Sequence, residues 1–190
     1  MSATLASIST LADRVMLQLP GCPYPLAMEA LRQVTRDLCR RTGIWTEDVE
    51  VEGEADTLEY ELDVPTGAVL VAIGVLKNDD GDAIDKSGVS VRPPTTLVFA
   101  NDPGANDYTV AMICQPSGDT VPDWLLTAEQ DTLIAGAVAV RKRDGAKPWS
   151  AQDWPVWQAA WDDRLYQLRV RSQGNFAGLY DTALQGVRVL

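Results

Sequence analysis

The sequence predicts an α+β chain: an antiparallel four-helix bundle made of two helical hairpins, with an inserted acidic, mainly antiparallel β module and an extended C-terminal tail. Three observations predict it. Apolar residues recur at helical spacing toward both ends of the chain. Between Gly43 and Trp124 the apolar period shortens toward two, as in half-buried strands. The charge is uneven in the same way: residues 44–123 carry three basic and 17 acidic side chains, net −14, against +2 for residues 1–43 and +1 for residues 124–190. The expected divisions are residues 1–45 for the first half of the bundle, 46–121 for the β module, 122–174 for the second half and 175–190 for the tail.

Taken in order, Leu5, Ile8, Ala12, Val15 and Leu19 step by three and four residues, the pattern of one helix face. Leu19-Pro20-Gly21-Cys22-Pro23 breaks it, because proline and glycine favour a tight connection. A second helix carries Leu26, Leu31, Val34 and Leu38 inward and Glu29, Arg32, Arg36 and Arg40 outward. Gly43 stands where a helix end wants positive φ. Residues 57–62 alternate polar and apolar, and residues 69–76 form a continuous apolar run, so that strand should be covered on both faces or pair with another chain. Asn78-Asp79-Asp80-Gly81 reads as a turn, and residues 89–92, 96–100 and 108–114 as further strands. Helix returns at Trp124, with Thr127 and Gln130 at capping-box spacing and Leu133, Ile134, Ala137 and Val140 as its stripe. Gly145 and Pro148 end it. The last helix, opened by Ser150 or Asp153, sets Trp154, Trp157, Trp161, Leu165 and Leu168 on one face and fades near Gly174. The predicted bundle core is Leu31, Val34 and Leu38 with Leu133, Ala137, Trp157, Trp161 and Leu165.

Composition argues against most chemistry. Histidine is absent, which removes the commonest general base and metal ligand. Cys22, Cys39 and Cys114 are scattered and odd in number, unlike a disulfide framework or a zinc site. The acidic stretch from Asn78 to Asp82 puts Leu76 and Ser87 where a calcium loop needs ligands. The run Glu47, Asp48, Glu50, Glu52, Glu54, Asp56, Glu59, Glu61 and Asp63 looks like a solvated face or a recognition surface, rather than the walled pair of carboxylates a glycosidase needs. The tryptophan stripe fits a helix core first and a subunit interface second. No catalytic, metal-binding or cofactor-binding residue is predicted, and no enzyme activity is expected. No uninterrupted apolar run approaches a membrane span, and the first basic residue, Arg14, comes too late for a signal peptide. A cytoplasmically made protein is expected.

One stretch resembles a known family. Leu19-Pro20-Gly21-Cys22-Pro23, then Ala30-Leu31-Arg32, then Asp37-Leu38-Cys39-Arg40-Arg41-Thr42 leading to Trp45, is similar to the opening of tailed-bacteriophage head-to-tail adaptors. The similarity covers about residues 8–46, and Leu38 stands where the family commonly has an aromatic. The order of helices, β insert, helices and apolar tail resembles the larger, podovirus-type adaptors, also called tail tubular proteins. That resemblance implies a structural virion protein of the neck or tail. It implies a ring of identical copies, a dodecamer in that family, beneath the portal protein and above a downstream tail or nozzle protein. It also implies a conduit through which genomic DNA passes without specific binding during ejection, with no membrane contact. In that reading the tail docks on the portal through Phe176, Leu179, Tyr180, Leu184, Val187 and Leu190. Another neck or tail-completion protein, or an acidic binding module outside virions, is the alternative.

Overall fold

The apolar positions near the N-terminus are divided among three kinds of backbone, not gathered on one helix. In the computed structural model residues 4–145 and 147–175 are described, the side chains of 173–175 excepted. Leu5–Ser7 is a strand, β1, Ile8–Leu11 a 3-10 turn, and Ala12–Leu17 a helix of six residues, α1. Ser7 caps the turn by accepting the Ser9 N–H at 3.2 Å, a local hydroxyl bond that competes with helix. Ile8, Ala12, Val15 and Leu19 are nevertheless fully buried, because burial was what their spacing encoded.

The remaining elements are α2 (Tyr24–Thr42), β2 (Thr46–Val51), β3 (Glu59–Glu61), β4 (Ala68–Asn78), β5 (Val89–Arg92), β6 (Thr96–Phe99), β7 (Tyr108–Pro116), β8 (Thr120–Pro122), α3 (Asp123–Lys142) and α4 (Trp154–Asn175). They divide into two compact units: the described residues up to Thr42 with Pro116–Arg169, and Gly43–Gln115 with the described residues from Val170.

In the helical unit β1 pairs antiparallel with β8, Ala6 opposite Val121. α2 turns Leu31, Val34 and Leu38 inward, and the hydroxyls of Thr35 and Thr42 donate back to the Leu31 and Leu38 carbonyls, which lets them be buried. Gly43, at φ +63°, ends the helix. α3 packs along α2, and the buried Arg141 ties its end down: Nε donates to the Leu26 carbonyl at 2.9 Å, while its terminal nitrogens meet Glu29 at 2.7 Å and Asp144 at 3.1 Å. α3 is lined with small residues, and at Gly136 a Cβ would stand 2.8–3.1 Å from the Trp161 ring of α4. Glycine there is a seat for an indole.

The second unit holds two three-stranded sheets, ordered β2-β7-β4 and β3-β6-β5. β2 is antiparallel to β7, so Val49 faces Val110 and Val51 faces Tyr108. Tyr60, Phe99 and Tyr108 join rings, with centroids 5.8 and 5.5 Å apart. Asn78 to Gly81 form a turn, with Gly81 at φ +82° and the Asn78 side chain accepting the Asp82 N–H at 2.8 Å.

The predicted architecture therefore needs correction. The fold is α+β with four α-helices and eight strands in three antiparallel sheets, not a four-helix bundle of two hairpins with one β insert. Only two helices precede the β-rich region, and α1 is too short to be a bundle helix. β1 is the physical reason: closed backbone pairs, Ile8 N to Asp119 O and Asp123 N to Thr4 O, both 2.8 Å, bracket it against β8. Thr127 does not open α3 either. That helix starts at Asp123 and kinks at Glu129, φ −121° and ψ 17°.

Candidate interaction surfaces

Three surfaces stand out, and each grows from a simple pattern. The first is α4, which leaves large apolar side chains in water outside its buried stripe. Trp161, Leu165 and Leu168 are buried, but Trp154 and Trp157 are only half-buried, which corrects the expectation that Trp157 lies in the core. The Trp157 indole N–H instead donates to Asp153 at 3.3 Å, and the Lys142 ammonium sits 5.2 Å from its ring centroid. Lys142 also pairs with Asp153 at 2.6 Å and holds that carboxyl below the usual range. Away from the core, Val156 and Tyr166 are each 69% exposed. The other predicted core residues, Leu31, Val34, Leu38, Leu133 and Ala137, are buried. Phe176, Leu179, Tyr180, Leu184, Val187 and Leu190 lie outside the described residues.

The second surface is the outer ridge of α2, where Arg32, Arg36 and Arg40 follow one another at four-residue spacing. Arg32 grips Asp119 with two nitrogens, at 2.5 and 2.8 Å, and this fork depresses the Asp119 pKa. Arg36 and Arg40 are exposed.

The third is the solvent side of β2. Asp48 and Glu50, with Glu52 just beyond the strand, point outward, while Val49 and Val51 lie on the opposite, more buried face of the sheet. Three charges within six residues obscured this strand in the sequence, because acids are depleted in sheets. The alternation with Val49 and Val51 was the signal. Residues 43–115 of the second unit carry 15 acidic and three basic side chains, net −12. Two of the three cations are engaged: Arg92 with Glu59 at 2.7 Å, and Lys86 with the Gly74 carbonyl at 2.6 Å.

Inside the helical unit, sequence reasoning missed a buried ion pair. Glu129 is 3% exposed and receives Arg164 through two nitrogens at 2.7 and 3.0 Å and the Thr132 hydroxyl at 2.8 Å. Glu129 lies four and eight residues before Leu133 and Ala137, on the apolar stripe. A charge in that position announces a partner.

The cysteine side chains lie away from solvent. All three cysteines are buried and none forms a disulfide among the described residues; burial, with Glu47 nearby, pushes the Cys114 thiol up to about 12, and burial raises Cys22. Neither is a thiolate at neutral pH. An open pocket of about 240 Å³ is lined by Ile84, Asp85, Val89, Phe99, Asn101 and Tyr108 among others, and two of its polar side chains are engaged. Asp85 accepts from the N–H and hydroxyl of Ser87, and Tyr108 donates to the Pro103 carbonyl at 2.5 Å. Among the described residues no cluster of acids and cysteines forms a metal site, and no helix is long and apolar enough to cross a membrane.

Compared with known proteins, the chain matches no family model and no curated protein.

Proposed function

We propose that this chain is a structural virion protein, a head-to-tail adaptor whose copies form a ring beneath a phage portal and join it to the tail or nozzle. The observation that carries this reading is α4. One side seats Trp161 on Gly136, while another leaves Val156 and Tyr166 in water. Large apolar side chains left in water outside the buried stripe suit a helix that meets a second protein surface. It leads toward the apolar residues 176–190, which in this proposal dock on the portal. The adaptor-like pattern of residues 19–45 supports the same reading, and Leu19, Leu31, Leu38 and Trp45 from it are buried. The acidic β unit suits a conduit that must not hold the genome, since it repels phosphate. On this reading the protein performs no catalysis and needs no cofactor.

The test has two arms. Labelled chain should appear as a ring at the neck when intact particles are imaged; a location elsewhere in the particle would make it another neck or tail-completion protein. Deleting residues 176–190 should leave a folded subunit that no longer attaches to portal-bearing heads. Undiminished attachment would sink the docking role.

A further inference from the structure

The ridge of α2 and the outer side of β2 are opposite in sign and similar in pitch. Along α2 a four-residue step advances about 6 Å, which spaces Arg32, Arg36 and Arg40. Along β2 a two-residue step advances about 6.6 Å, which spaces Asp48, Glu50 and Glu52. Among the described residues neither Arg36 nor Arg40 makes an ion pair, and Asp119, already forked by Arg32, feels Arg36 only at longer range. Asp48, Glu50 and Glu52 likewise meet no cation within ion-pair distance among the described residues. Their neighbours on β7, Ala111 opposite Asp48 and Thr109 opposite Glu50, are uncharged. Asp48, Glu50 and Glu52 are all exposed, so this face of β2 is open to a partner.

We infer that the Arg36–Arg40 ridge of α2 in one copy docks on the Asp48–Glu50–Glu52 face of β2 in another copy of this chain. The occupant follows from charge complementarity. Two different faces of one chain match each other, so the contact propagates from copy to copy and closes when the rotation allows. Nucleic acid is the other polyanion that arginines attract, but the chain's net charge of −11 opposes its approach. The inference rests on the assembly reading above for the number of copies, not for the contact itself.

Charge swapping tests it on the full chain. Sedimentation velocity of the wild type should show concentration-dependent association at low salt that weakens as salt screens the contact. R36E/R40E and E50R/E52R should each weaken association by about tenfold or more, and the four changes combined should restore it to within about threefold of wild type. Far-UV circular dichroism establishes that each variant folds; for one that does not, R40Q and E50Q give the same reading with a smaller loss. A wild type that stays monomeric, reversals without effect, or a combined variant no better than its parents would each overturn the inference. So would retention of duplex DNA by the wild type that R36E/R40E abolishes. A swap-sensitive dimer that never grows larger upholds this contact while the ring itself fails.

Discussion

Glu129 shows how much one side chain can bind together. Its carboxylate is buried, so its desolvation must be offset by Arg164 and Thr132. Arg164→Ala strands that charge. The arginine side chain is 28% exposed, so water answers part of the loss, and we expect a destabilisation of about 2–3 kcal/mol in urea unfolding. Glu129→Leu combined with Arg164→Leu should recover much of it; a double variant worse than Arg164→Ala would contradict this account. Asp119 offers a pH test. Arg32 depresses its pKa in the folded state below the unfolded value of about 3.9, so the pair stabilises above that value, and the benefit is lost as pH falls through the folded pKa. The stability gap between wild type and Arg32→Ala should therefore be open at neutral pH and close below about pH 4. A gap that widened in acid would refute the pairing. Neither partnership was legible in the sequence. Glu129 and Arg164, or Arg32 and Asp119, are far apart along the chain, and nothing local joins them.

At the scale of elements, α4 was legible as a helix and misread as to where along its stripe the cover begins, since Trp161, Leu165 and Leu168 are buried and Trp154 and Trp157 only half-buried. Trp154, Trp157 and Trp161 share a face in projection, but only Trp161 reaches the bare backbone of α3 at Gly136. Trp161→Ala should cost about 3–5 kcal/mol as a core truncation. Trp157→Ala, which loses a partly exposed cation–π contact and one hydrogen bond, should cost only about 1 kcal/mol. Equal losses in parallel denaturation curves would disprove the distinction. Gly136→Ala sets two effects against each other. Helix propensity favours alanine by about 1 kcal/mol, but the new methyl meets a rigid indole, and overpacking of about 1–3 kcal/mol should win. In a Trp161→Ala background the same change should turn stabilising, and a double-mutant cycle reads the difference. β1 is the instructive misreading. Leu5 fits the helical spacing that runs on to Leu19, yet it pairs with β8 together with Ala6 and Ser7, because backbone partners about 115 residues away are invisible to a local pattern.

For the whole molecule the decisive feature is partition of charge. The helical unit carries equal numbers of acidic and basic side chains over residues 1–42 and 116–169, while residues 43–115 of the β unit have a net charge of −12. Self-repulsion inside the β unit opposes folding, and salt relieves it. Raising NaCl from about 0.01 M to about 1 M shortens the Debye length from about 30 Å to about 3 Å, and the Tm should rise by roughly 2–4 °C. A fall would mean that the exposed ion pairs outweigh the repulsion. The acidity of the middle, the helical character of α2, α3 and α4, the apolar strand β4 and the turn at Gly81 were all determined by sequence alone. Each rests on a periodicity, a composition or a backbone preference confined to a few neighbouring residues. The tertiary structure alone decided that the first apolar stripe would split into strand, turn and short helix. It also decided that β2 would be an edge strand with its acids outward, that Glu129 would find Arg164, and that a single tryptophan of three would fill the seat at Gly136. Those outcomes depend on partners remote in the chain, and local spacing says which residues want burial without saying what will bury them.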